Sequence, residues 1–159
     1  MRFLQKIGLR KGVEIMIEQD TIRLLRECDA GVKMGISSIE DVIDRVQDEA
    51  MKQVLADCRQ EHAELHKKIQ QRLQQFDDEG KDPNPIAKSM SWMKTTFKMG
   101  INESDNTVAS LMTDGCNMGV KSLNQYLNEY EAAEEYAKDI TKKLIALEQS
   151  LADDLKEYL

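Results

Sequence analysis

Any chemistry in this chain has few side chains to work with. The candidates are two histidines, His62 and His66, and three cysteines, Cys28, Cys58 and Cys116. His62 and His66 stand four residues apart, so a helix would put both on one face, the step of a metal-binding pair. A single soft ion such as zinc could in principle use His62, Glu148, Cys116 and Cys28 or His66. Cys116 follows Gly115 and has Asp114 nearby. A reactive thiolate needs a cationic or helix-N-terminal setting, and an acidic neighbourhood denies it one. Three widely spaced cysteines fit free thiols in a reducing, cytoplasmic compartment better than a disulfide framework. There is no phosphate-cradling glycine loop, no HExxH, no CxxC and no serine with a matching histidine and aspartate.

The elements that must position these residues are helices. The 159 residues include only 2 Pro, 8 Gly and 5% aromatics, which suits one helical domain able to bury a core without disulfide or metal staples. Apolar residues at steps of three or four predict helix A over about 20–46 (Leu25, Cys28, Val32, Ile36, Ile39, Ile43, Val46) and helix B over about 48–78 (Met51, Leu55, Cys58, His62, Leu65, Ile69, Leu73, Phe76), capped by Asp48. DDEGKDPNP then reads as a solvated turn. A short crossover helix is expected over about 85–99, helix C over about 104–130 after Ser104 or Asp105, and helix D over about 134–158. The A/B and C/D joins contain neither Gly nor Pro, so each pair could form one long rod. Folding back is preferred because it buries the apolar stripe within one chain.

The net charge of -7 lies entirely in residues 102–159, which hold 5 basic and 12 acidic side chains. With no long basic block, nucleic acid is not an expected partner. No stretch approaches the roughly 18 apolar residues of a membrane span. The first twelve residues carry four basic groups beside Phe3, Leu4, Ile7 and Leu9 and read as a loosely docked terminus. The acidic second half and the Met-rich stretch over 86–99, with Trp92 and Phe97, are candidate contact surfaces for an unidentified protein partner or, as a homodimer, for a second copy.

Helix A repeats in helix C. GVKMGISSIEDVI from Gly31 aligns with GCNMGVKSLNQYL from Gly115, matching Gly31, Met34, Gly35 and Ser38 to Gly115, Met118, Gly119 and Ser122. Two related hairpins joined by a long crossover are the plan of ferritin-like bundles. The chain resembles the rubrerythrin branch and the small ferritin-like four-helix families near it, through these A and C segments and RQEHAEL in helix B, across most of residues 20–159. The resemblance implies an all-α, ferritin-like, up-and-down four-helix bundle. It would place the ancestral di-metal ligands at Val32, Cys116, Arg59 with His62, and Ile145 with Glu148, where only His62 keeps its type and Arg59 is a permanent cation. Counting 1.5 Å per residue from the turns brings Val32, His62, Cys116 and Glu148 together near mid-bundle. His62 is then expected to hydrogen-bond Glu148 or Glu61, and Arg59 to pair with Glu148 or reach water. The expected role is a non-catalytic structural or interaction protein without a cofactor. The alternative is a metal-dependent oxidase or peroxidase with a rearranged site around His62 and Glu148.

Overall fold

The computed structural model describes residues 2–83 and 104–159, and the expected crossover helix lies outside them. Four helices make up most of the described chain: α1 Arg2–Val42, α2 Glu49–Gln74, α3 Asp105–Glu129 and α4 Glu135–Leu155, with single 3-10 turns at Ile43–Arg45 and Lys156–Tyr158. No strand occurs among the described residues, and no helix there is long and apolar enough to cross a membrane.

α1 corrects one expectation. It begins at Arg2, not near residue 20, and runs unbroken for 41 residues through Gly8 and Gly12. A glycine inside a helix costs about 1 kcal/mol, and helix already nucleated in the packed part can propagate through two of them. α2 ends at Gln74, and Asp77 takes a left-handed φ of 54°. The Asp77 amide donates to the Gln74 carbonyl and the Asp78 amide to that of Leu73, closing the helix in the manner usually reserved for glycine. Asp48 and Ser104 cap α2 and α3, accepting from the Met51 and Thr107 amides.

Both tight joins are held from the opposite hairpin. The Asp105 carboxylate at the start of α3 accepts from the Gln47 and Asp48 amides in the α1–α2 turn, at 2.8 and 2.9 Å. At the other end, Asp20 and Thr21 of α1 accept from the Ala132 and Glu134 amides in the α3–α4 turn. Arg72 near the end of α2 grips both carboxylate oxygens of Glu134 at 2.6 Å while stacking on Phe76. These ties fix the directions: α1 and α4 run one way, α2 and α3 the other, so α2 ends and α3 begins at opposite ends of the bundle.

Each hairpin packs internally, α4 lies against both α1 and α2, α1 touches α3 less closely, and α2 and α3 meet least. The core forms two apolar layers. One holds Leu24, Leu25, Val32, Leu65, Ile69, Leu123, Leu144 and Ile145, and the other Ile39, Met51, Leu55, Cys58, Met112, Cys116, Leu151 and Leu155. Between them, one level draws Gly35, His62, Gly119 and Glu148 from the four helices.

Candidate functional site: a buried histidine–glutamate pair beneath an apolar cleft

The helical period that buries Leu55, Cys58, Leu65 and Ile69 also turns His62 inward from α2, leaving its side chain 1% exposed. Glu148 enters the same level from α4, and the imidazole Nε2 meets its Oε1 at 2.9 Å. The other ring nitrogen, Nδ1, lies 2.8 Å from the Cys58 carbonyl one turn earlier. A carbonyl only accepts, so Nδ1 carries a proton and donates it. Burial by itself would lower the His62 pKa, but the contacts with Cys58 and Glu148 outweigh it and raise the value from 6.5 to about 10. His62 therefore faces Glu148 as an imidazolium at neutral pH.

Gly35 and Gly119 make room for the pair. A Cβ on Gly35 would stand 2.8 Å from both Cδ2 and Nε2 of His62, and one on Gly119 would touch Glu148 at an ordinary 3.5 Å. Both helices carry small residues here, and a cavity of about 580 Å³ opens between α1 and α3 where larger side chains would otherwise fill the space. Its walls are Gly31, Met34, Ser38 and Ile39 of α1 and Met112, Gly115, Met118 and Leu123 of α3, with His62 and Glu148 on the floor. Glu148 is 13% exposed, so its carboxylate is reached from the cleft, whose lining also includes the Glu27–Lys81 ion pair.

The thiols are ill suited to nucleophilic work. Burial, followed by the charge of Glu148, pushes the Cys116 thiol well up. Burial pushes Cys28 up to about 12 despite an opposing hydrogen bond from Thr141. The Cys58 sulfur is 3.5 Å from Nδ1 of His62, but that nitrogen has no lone pair to accept a thiol proton.

The residues singled out in the sequence separate into two groups. His62, Glu148 and Cys116 come together at mid-bundle, and Glu148 rather than Glu61 is the partner of His62. Arg59 is half-buried, and none of the ion pairs among the described residues joins it to Glu148, whose partner is His62. Val32 and Ile145 are buried in the apolar layer beside Leu65, Ile69 and Leu144. Cys28 bonds Thr141, and His66 turns to Asp29, so neither joins His62. A pair of metal ions needs bridging carboxylates and free imidazole lone pairs. Val32 and Ile145 have no donor atoms and Arg59 has no lone pair, which leaves Glu148 as the one carboxylate beside His62 and Cys116, so this level does not fit two metal ions. Among the described residues, no group of three His, Cys, Asp or Glu side chains is disposed to hold an ion.

A second polar cluster went unnoticed in the sequence. Asp29 is fully buried on α1, and its carboxylate receives Gln70 Nε2 at 2.7 Å, Lys33 Nζ at 2.8 Å, the Lys81 amide at 3.0 Å and His66 Nε2 at 3.1 Å. It anchors the segment after α2, where Gly80 sits at φ 92° with no room for a Cβ beside that carboxylate. Lys33 four residues on was the local clue.

No known protein family, curated protein or solved structure matches the chain.

Proposed function

We propose that the protein is a ferritin-like bundle that has lost di-metal binding and acts as a non-catalytic structural or interaction protein. The single observation carrying this reading is the closed bonding of His62. One ring nitrogen meets the Cys58 carbonyl and the other meets Glu148, and no further His, Asp or Glu among the described residues joins them, whereas paired metal ions need several bridging carboxylates. The reading is supported by Val32 and Ile145 filling ligand positions with hydrocarbon, and by the Cys28 and Cys116 thiols, which burial pushes up. Contact with a partner is assigned to the cleft, whose glycines and methionines form a concave apolar surface that adapts to varied shapes.

Elemental analysis of protein purified without chelators tests the reading. The expected outcome is no transition metal in stoichiometric amount, with His62→Ala altering stability alone. Stoichiometric iron or manganese that disappears in His62→Ala would overturn it and favour the oxidase or peroxidase alternative.

A further inference from the structure

The segment after α2 is fastened to α1 by polar contacts. Residues 78–82 read DEGKD and have no apolar side chain to bury. Asp78 meets Arg26 at 3.2 Å, Asp82 meets Lys33 at 3.1 Å, and the Lys81 ammonium meets Glu27 at 2.5 Å. Pairs as exposed as these are screened by salt and hold weakly. The contact with Asp29 is of another kind. That carboxylate is fully buried, accepts from the Lys81 amide at 3.0 Å, and is itself fixed by Lys33, Gln70 and His66. A hydrogen bond to a buried charge is both stronger and less screened. A Cβ on Gly80 would collide with the same carboxylate, so the backbone passes over it at a distance that only glycine permits.

The route of the segment leads to the cleft. Asp29 faces α2, whose His66 and Gln70 reach it, while Glu27 lines the cleft. The two lie about 160° apart around the outer face of α1, with Ala30 between them. Lys81 touches both, its amide on Asp29 and its ammonium on Glu27, so the segment crosses the outside of α1 from the α2 side to the cleft. There Lys81 and Pro83 join Glu27 and Ala30 in the lining, and Pro83 is buried. None of residues 78–83 belongs to either apolar layer of the core. A segment with so little apolar contact opens at a lower free energy than the helices beneath it.

We propose that residues 78–83 are a releasable strap, latched by Asp29, that closes the Glu27 end of the cleft. Release withdraws the Lys81 ammonium from Glu27 and Pro83 from the lining, and the four helices stay packed. Control of what enters the cleft rests on reading the cleft as a contact surface, whereas the latch itself does not.

Amide hydrogen exchange and thiol labelling of the full chain test the strap. Asp29→Asn removes the buried charge, and Gly80→Ala lifts the backbone off it without altering the core. Each is expected to speed exchange of the Lys81 amide by roughly tenfold or more. In Gly80→Ala the α2 amides, such as that of Ile69, should keep their wild-type rates. In an Ala30→Cys background, iodoacetamide should label the new thiol faster by a similar factor once either change is added, the three native cysteines being buried. Should Asp29→Asn fail to fold, Gly80→Ala decides alone. Unchanged Lys81 exchange in Gly80→Ala would overturn the latch, and so would α2 amides that speed up by the same factor, because the strap would then be part of the bundle's cooperative unit. Faster exchange with unchanged labelling would overturn the closure of the cleft. None of these readouts involves a metal ion, so they fail or succeed separately from the elemental analysis.

Discussion

The two walls of the cleft carry the same small-residue motif, yet they carry different loads. On α1, Gly31 and Gly35 stand four apart. On α3, Gly115 and Gly119 repeat the spacing at the matching level. Gly35 is closed to any side chain by the His62 ring, while Gly31 would only brush Leu144 at 3.8 Å. Across the cleft Gly115 faces open space, and Gly119 has ordinary contact distance to Glu148. A repeated motif thus need not have repeated reasons. One of the four glycines is forced by a buried ion pair, and the others leave room in the cleft without being required by a close neighbour.

The largest test of that contrast removes the ion pair. His62→Ala leaves Glu148 without its buried counter-charge and should destabilise the protein by about 3–5 kcal/mol in chemical denaturation. The double variant His62→Leu/Glu148→Leu should recover most of that loss, since apolar replacement of a whole buried pair is often neutral or better. Next in size is Gly35→Ala, expected to cost about 1–3 kcal/mol because the imidazole is held at both nitrogens and cannot yield cheaply. In a His62→Ala background the collision disappears, and the same change should become neutral or stabilising. Strong non-additivity in that cycle is the signature expected of residues in contact.

A pH series sharpens the picture further. The folded pKa of His62 lies above its ordinary 6.5, so its contribution to stability is complete below pH 6.5, declines above it and is gone once pH passes about 10. The stability difference between wild type and His62→Gln should shrink over that window. A difference constant from pH 6 to pH 10 would mean the imidazole is neutral when folded. The smallest expected effect is Gly115→Ala, which meets nothing and should stabilise α3 by up to about 1 kcal/mol of helix propensity in a thermal melt.

Much of this arrangement could be read from residue spacing. The 3.6-residue period located the packed parts of all four helices, and counting helical rise from the turns brings His62, Cys116 and Glu148 to one level, whereas Val32, expected there too, lies in the adjoining apolar layer and Gly35 takes its place. What spacing could not reveal was held by distant partners. The breaks at 43–48 and 130–134 contain no Gly or Pro, and they are tied by Asp105, Asp20 and Thr21 from the other hairpin. Asp29 sits beside the apolar stripe of α1 and looks like its solvent edge; its partners come from α1, α2 and the segment beyond. That the chain is already helical from Arg2 was not legible, because the apolar residues there are spread around the helix rather than gathered on one core face.

The polar level between two hydrocarbon layers also acts as a ratchet stop. Helices joined only by aliphatic contacts can slip past one another by a turn, about 5.4 Å, and repack almost as well. Here such a slip of α4 would carry a carboxylate into the company of leucines and isoleucines and strand a protonated ring without its counter-ion. One pair of side chains therefore tells every helix which of its turns belongs beside which.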